Sequence, residues 1–184
     1  MKLTCLILFL IVFCASCSLL KLPGTLYSDG SYRPVKERWA LKGQSVFSVD
    51  SCGLKYNVIY YDTVSTDLGI KYFYYRFWST GQCFFSHEVD SSDIFNKRFI
   101  ESNREGYIGY FKCEDQTVQI EIFMRHNQGT YGITKFEIAE NQSLVKNAYG
   151  FHRFRPKVIF HRDKYFPETY VVSKEFSFSD IPNW

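Results

Sequence analysis

The amino-acid sequence predicts an all-β domain built as an antiparallel up-and-down meander, and three observations support this. Aromatic residues make up 19% of the chain, with 14 Tyr and 18 Phe against 2 Met, and flat rings pack well on a pleated, half-buried surface. Short runs of aromatic and β-branched residues recur between turn residues. No helix longer than the N-terminal apolar run is evident. Because exposed strand edges promote aggregation, we expect the meander to form a closed barrel.

Length and charge limit the class of protein. A chain of 184 residues with 46% hydrophobic content is long enough to bury one core, so one domain is expected. The formal net charge of +3 is small for this length and does not indicate nucleic-acid binding.

The N-terminus has the features of a secretory leader. Lys2 precedes a run without charge from Leu3 to Leu20, which predicts export. The small and polar residues from Cys14 to Ser18 dilute the apolar character at its end, which favours cleavage over retention as an anchor helix. We assign residues 1–16 to a signal peptide.

The cleavage region also carries a motif, Phe13-Cys14-Ala15-Ser16-Cys17, directly behind the apolar run. It resembles a bacterial lipobox, in which a small residue precedes a cysteine that is acylated and becomes the new N-terminus. The resemblance implies that Cys17 is the lipidation site and that the protein is held at a membrane of the bacterial cell envelope, with the outer membrane expected. Ordinary signal-peptidase cleavage, which would give a secreted protein, is the alternative.

The segment after Cys17 has the composition of a tether. Pro23, Gly24, Gly30, Pro34 and Gly43 lie among polar residues, which suits a flexible spacer, although Trp39 is a candidate to belong to the fold. The sequence therefore divides into a signal peptide, a lipid-attachment site with a short flexible tether at 17–45, and a single barrel domain at 46–184.

Six strand-like runs follow, separated by turn signals, and Asp93 to Asn103 is the best candidate for a short helix. The runs are Tyr56 to Tyr61, Lys71 to Trp78, Gln82 to Ser86, Tyr107 to Cys113, Thr117 to Met124 and Thr130 to Ala139. Charged residues indicate the outer faces, since successive side chains alternate. Lys112 places Ile108 and Tyr110 on the wetter face of their strand.

The hairpin from Ile70 to Ser86 has two aromatic faces. Its outer face, marked by Arg76, carries Tyr72, Tyr74 and Trp78, which is more aromatic surface than solubility requires. We expect a protein partner to bind at this outer patch, unless the tether or the C-terminal segment covers it.

An aromatic pattern occurs three times along these runs. It begins at Phe77 (Phe-Trp-Ser-Thr-Gly-Gln-Cys-Phe-Phe), at Gly106 (Gly-Tyr-Ile-Gly-Tyr-Phe-Lys-Cys) and at Val118 (Val-Gln-Ile-Glu-Ile-Phe). The pattern resembles the small lipocalin-like lipoproteins of bacterial envelopes and implies a lipocalin-like barrel with a small apolar ligand. The inward-facing aromatic residues either fill the barrel or leave a pocket, with core packing the default. They are Phe73, Tyr75, Phe77, Phe85, Tyr107 and Phe111.

Three cysteines belong to the domain itself, Cys52, Cys83 and Cys113. Cys83 and Cys113 both lie on inward faces of predicted strands, so they are candidates for a disulfide, with two buried free thiols as the alternative.

Catalytic motifs are absent from the sequence. His87, His126, His152 and His161 have no spacing that would bring metal ligands together, and there is neither a Gly-x-Ser-x-Gly turn nor a Gly-rich phosphate loop. We expect no enzyme activity, no cofactor and no metal.

A basic segment near the C-terminus is a candidate anion site. Arg153, Arg155 and Arg162 lie within His152 to Lys164, where Asp163 is the one acidic residue. This segment could contact phosphate-bearing lipid. The alternative is a solvated loop after the last strand.

The sequence thus predicts a non-catalytic envelope lipoprotein that binds a small apolar ligand or serves as a structural or interaction module. Alternatives are a soluble secreted barrel and an integral outer-membrane barrel that ends at Trp184. Arg76, Lys112, Lys135 and Glu137 disfavour the integral barrel, because they interrupt the apolar belt that such a barrel needs.

Overall fold

The computed structural model of the protein describes residues 24–28, 31–44, 52–56, 58–94, 96–102, 106–125, 129–152, 159–161 and 169–173. In these ranges the chain forms two short helices, α1 (Ser91–Ile94) and α2 (Lys97–Ser102), and eleven strands. The strands are β1 (Gly24–Leu26), β2 (Tyr32–Pro34), β3 (Ile59–Thr66), β4 (Gly69–Phe77), β5 (Gln82–Asp90), β6 (Gly106–Glu114), β7 (Thr117–Met124), β8 (Thr130–Ile138), β9 (Leu144–His152), β10 (Ile159–His161) and β11 (Thr169–Val172). The predicted all-β class is confirmed.

Eight of the strands close into an antiparallel barrel in the order β6-β5-β4-β3-β11-β9-β8-β7, and β7 pairs back with β6. The closing register runs from Glu114 opposite Thr117 to Gly109 opposite Ile122. β7 passes so close at Gly109 that a Cβ there would collide with the Glu121 carbonyl oxygen. Closure pairs β6 and β7 with each other instead of leaving them as the two edges of an open sheet, and removing such edges is the reason a barrel was expected.

Three strands lie outside the ring. β2 pairs in parallel with β6 at Tyr32 and Tyr107, beyond the last β6–β7 pair, and β1 forms a hairpin with β2. β10 pairs with the C-terminal half of β9, from Tyr149 to Phe151. The β1–β2 hairpin therefore extends the wall where β6 and β7 separate.

The two ends of the barrel differ in their connections. The lower end carries the β4–β5, β6–β7 and β8–β9 turns, while the upper end carries the β3–β4 turn and helices α1 and α2. Local chemistry explains the tight turns. Gly81, at the end of the β4–β5 turn, has φ +83°, which glycine adopts without strain. Asp115 and Gln116 both have positive φ in the two-residue turn between β6 and β7, as a mirror-image hairpin turn requires.

The main core fills the lower half of the barrel. Tyr75, Phe77, Phe111 and Phe136 are buried there, together with Ile and Val side chains from β7. The short segment before β3 closes this end, because Cys52 and Leu54 belong to the same core and the Lys55 amide donates to the Tyr60 hydroxyl over 2.8 Å.

A second core lies on the outer face of β3–β6. Ile94 of α1 and Ile100 of α2 are buried there with Tyr74, Trp78 and other residues of the sheet. The Asn96 carboxamide oxygen caps α2 by accepting from the Arg98 amide, 3.1 Å away. The assignment of Ile108 and Tyr110 to a wetter face is wrong, because this second core buries Ile108 and Trp39 packs on Tyr110.

The strands that complete the ring, β9 and β11, were not predicted from the sequence. β9 lacks regular alternation because it contains Lys146, Asn147 and Gly150 and has a register shift opposite Lys135 and Phe136. β11 has only four residues, and it contributes one core ring, that of Tyr170.

Candidate functional site

The predicted inner aromatic residues all point into the barrel, but they separate into two groups. Tyr75, Phe77, Tyr107 and Phe111 are buried in the core. The Phe77 and Phe111 rings meet edge to face with centroids 5.0 Å apart. These residues pack the barrel rather than line a space. Phe73 and Phe85 are only partly buried, and they lie above this packed floor with their ring centroids 6.5 Å apart.

A cavity of about 180 Å³ occupies the upper half of the barrel, lined by Asp62, Val64, Phe73, Phe85 and Tyr170. Tyr170 forms part of the floor, because its ring packs against Tyr75 with centroids 4.9 Å apart. Val64 is 46% exposed and lies two residues before the end of β3, so the cavity opens toward the upper end.

The chemistry of this cavity suits a small, largely apolar molecule. Three aromatic rings and one Val supply apolar walls, while Asp62 contributes a carboxyl group and Tyr170 a hydroxyl group. Pockets for drug-sized ligands span roughly 300–1,000 Å³, so this cavity holds only a smaller molecule or one end of a longer one. Asp62, Val64 and Tyr170 were not among the predicted lining residues, because the predicted run ended at Tyr61 and β11 was not recognised.

A second cavity of about 310 Å³ lies at the lower end between the β6–β7 and β8–β9 turns. Cys52, Gly53, Gln116, Ile138 and Gln142 are among its lining residues. Backbone atoms hold the two turns together, since the Ile138 amide donates to the Gln116 carbonyl over 2.8 Å. It is an open cleft between turns, and Gln116, Glu140 and Gln142 are its polar side chains among the described residues.

The predicted disulfide between Cys83 and Cys113 is wrong. Cys113 is bonded instead to Cys52, with their Cα atoms 6.0 Å apart, and Cys83 is a free, buried thiol. The segment that closes the lower end brings Cys52 to the end of β6, a long-range contact that strand periodicity cannot predict. Burial raises the pKa of the Cys83 thiol well above its usual value, and the nearby Glu121 charge adds to this rise. Cys83 is therefore an unreactive core residue.

The proposed outer patch is also wrong as a free surface. Tyr74 and Trp78 are buried in the second core, and Tyr72 is partly buried against Tyr61, with their ring centroids 6.0 Å apart. Helices α1 and α2 and Trp39 cover this face. The Arg76 guanidinium, which indicated a solvated face, is itself buried and lies 4.6 Å from the Trp78 ring centroid. Burial raises the pKa of Tyr74, although the Arg76 charge opposes this shift.

The polypeptide between β2 and residue 44, here called the strap, is attached to the outside of the barrel. The Ala40 and Leu41 amides donate to the two carboxylate oxygens of buried Glu121, over 2.9 and 2.8 Å. The Arg38 amide donates to the Tyr131 hydroxyl over 2.8 Å. Trp39 packs edge-on against Tyr131 with ring centroids 4.9 Å apart. The region assigned to a flexible tether therefore includes a strap held on β7 and β8.

Several predicted sites lie outside the described residues, namely Cys17, Arg153, Arg155 and Arg162. In the described ranges, no three His, Cys, Asp or Glu side chains are grouped so that they could hold a metal ion. Within the same ranges, the helices are too short or too polar to cross a membrane.

Comparisons with known proteins found no matching family model, no similar curated protein and no similar solved structure.

Proposed function

We propose that this chain is a non-catalytic, lipid-anchored protein of the bacterial cell envelope whose barrel binds a small apolar ligand in its upper cavity. The observation that carries the ligand proposal is the space of about 180 Å³ bounded by Phe73, Phe85 and Tyr170 above a packed aromatic floor. A barrel that served only as a scaffold would gain stability by filling this space.

The anchor proposal depends on the lipobox-like motif that ends at Cys17. The disulfide between Cys52 and Cys113 supports the exported location, because such bonds persist in oxidising compartments outside the cytosol. A soluble secreted protein with the same barrel is the alternative.

The covered outer wall disfavours an integral outer-membrane barrel. Such a barrel presents an apolar belt to lipid on every strand. Here the second core with α1 and α2 covers β4 and β5, and the strap covers part of β7 and β8.

A binding titration tests the ligand proposal. The neutral fluorophore N-phenyl-1-naphthylamine is added to a chain starting at Ser18, and its emission is followed. We expect saturable enhancement that Val64→Trp abolishes, because the larger ring occupies the cavity opening. Val171→Trp, on an exposed position of β11, is the matched control and should bind normally. Absence of saturable binding by the unsubstituted chain, or equal binding by both variants, would refute the cavity proposal.

Metabolic labelling tests the anchor. We expect the bacterial host to incorporate labelled palmitate into the full-length chain and not into Cys17→Ser. Equal labelling of both proteins, or none of the unsubstituted chain, would refute lipidation at Cys17.

A further inference from the structure

Three exposed apolar side chains lie at or near the tip of the β3–β4 hairpin, those of Val64, Leu68 and Ile70. Leu68 is 88% exposed in the two-residue turn after Thr66, and Ile70 is 55% exposed. The turn itself does not need Leu68, because Gly69 takes the left-handed conformation at φ +111° and turn positions without positive φ accept most residues. Thr66 stabilises the turn by accepting from the Leu68 amide, 3.2 Å away, a bond that is independent of the side chain at position 68. An apolar apex therefore has no role in folding the hairpin.

Two further apolar groups lie at the same end of the barrel. The β1–β2 hairpin extends beside the upper part of β6 and exposes Leu26, at 63%, and Tyr27. On the other side of the ring, Phe151 near the end of β9 is 49% exposed. We call these positions the apolar rim, which consists of Leu26, Tyr27, Val64, Leu68, Ile70 and Phe151.

The strand order distributes the rim around the cavity opening. In the strand order, β11 lies between the lower parts of β3 and β9, and β8 and β7 lie between β9 and β6, whose wall β2 extends. The three groups thus surround the upper end instead of forming one side patch. The lower end differs, because its turns contain Ser79 and Thr80, Asp115 and Gln116, and Glu140 and Asn141. The exposed apolar side chains of the rim therefore lie toward the upper end, whereas the described turns of the lower end are polar and acidic.

We propose that the apolar rim inserts into the surface of a lipid bilayer and turns the opening of the upper cavity toward it. This inference rests on the proposed anchor, because the short chain between Cys17 and the fold indicates that the surface in contact with the rim is a lipid bilayer. Gly24, where β1 starts, is seven positions after Cys17, a span of at most about 25 Å when fully extended. β1 then runs toward the upper end. A domain held so closely to a membrane meets it repeatedly, and the rim is the surface with the chemistry to enter it.

Interfacial insertion fits the residue types of the rim. Leu and Ile side chains gain by leaving water, and Tyr favours the headgroup region because its ring is apolar and its hydroxyl polar. The Arg33 guanidinium lies 4.2 Å from the Tyr27 ring centroid, close enough to contact lipid phosphate when Tyr27 reaches that depth. Docking in this orientation lets an apolar molecule pass between the bilayer and the cavity without crossing water, so the ligand would be a membrane lipid component or a molecule dissolved in the bilayer.

Depth-dependent quenching tests this orientation. The full-length protein is reconstituted through its apolar N-terminus into vesicles of phosphatidylethanolamine and phosphatidylglycerol, with or without brominated acyl chains. Leu68→Trp reports the rim, and Val171→Trp, at an exposed position in the lower half of the wall, is the matched control. The emission of the unsubstituted protein is subtracted, because the native Trp residues contribute to the signal.

We expect brominated lipid to quench the Leu68→Trp emission at least about two-fold more than that of Val171→Trp, since inserted side chains reach about 5–10 Å below the headgroups. Aqueous acrylamide should show the opposite order. Equal quenching of the two variants by both reagents would overturn the proposal, as would protection of Leu68→Trp from acrylamide without lipid quenching, which would indicate a protein partner or a second copy.

The failure of the anchor and the failure of the rim can be distinguished. Reconstitution succeeds with either the lipidated N-terminus or a retained apolar leader, so lipid quenching without palmitate labelling would refute the anchor and support the rim. Palmitate labelling with a water-exposed Leu68→Trp would support the anchor and refute the rim.

Discussion

Removing the disulfide between Cys52 and Cys113 should be the most destabilising change among the cysteine substitutions. The two residues are 61 positions apart, and cross-linking a loop of that length lowers the entropy of the unfolded chain enough to stabilise the fold by about 4 kcal/mol. Domains of this size have total stabilities of about 5–15 kcal/mol, so Cys52→Ser should remove a large fraction. With a urea m-value of about 2 kcal/mol/M, the midpoint should fall by about 2 M.

The measurement is urea unfolding followed by tryptophan fluorescence, with and without reductant, on a chain starting at Ser18. Reductant should lower the midpoint of the unsubstituted protein and leave Cys52→Ser unchanged. Cys83→Ser is the control, because its hydroxyl in the core lowers stability by about 1–3 kcal/mol while the disulfide persists. Its midpoint should therefore still depend on reductant. If Cys83→Ser abolishes the effect of reductant and Cys52→Ser retains it, the pairing described here is refuted.

Three other predictions concern the strap, the barrel seam and alkaline pH. Glu121→Gln should lower the free energy of unfolding by about 2–3 kcal/mol. The Gln oxygen can accept from one of the two strap amides, but the Gln NH₂ group is a donor and leaves the other strap amide without an acceptor. Exposed Glu140→Gln should change the free energy of unfolding by less than about 0.5 kcal/mol in the same urea assay. Gly109→Ala should lower the thermal midpoint and weaken amide protection in β6 and β7 in hydrogen exchange, because a Cβ there meets backbone that cannot move aside; unchanged protection would contradict the close approach. Burial raises the pKa of Tyr60 and Tyr131 to about 12 from an ordinary value of 10.0. Their contribution to stability should therefore be intact below pH 10 and lost as the pH rises toward 12. Absorbance at 295 nm that shows both residues ionising near pH 10 would disprove this.

Strand periodicity was sufficient to predict most of the barrel wall. In β7, which matches a predicted run, Val118, Ile120 and Ile122 all face the core, because alternation is a local property of an extended chain with one buried face. Alternation also predicted correctly that Phe77 and Phe111 point into the barrel. It did not distinguish the side chains that fill the barrel from Phe73 and Phe85, which border a cavity, since that difference depends on how far each strand extends above the packed floor.

The outer faces show the main failure of this reasoning. Arg76 was taken as evidence of contact with water, yet it is buried beside the Trp78 ring, and the charged Glu121 is likewise buried beneath the strap. A charged side chain can be buried when other parts of the chain supply its partners. Those partners come from residues about 80 positions away for Glu121, so a local pattern does not contain them.

The sequence by itself determined the β class, the antiparallel meander and the expectation of closure, because side-chain alternation, turn chemistry and the need to remove strand edges act over short stretches of chain. Only the tertiary structure decided which cysteines are bonded, which aromatic face is covered and where the barrel leaves a space. Each of these depends on segments distant in sequence: the closing segment that brings Cys52 to Cys113, the helices and strap on the outer wall, and the four-residue strand that brings Tyr170 beneath the cavity.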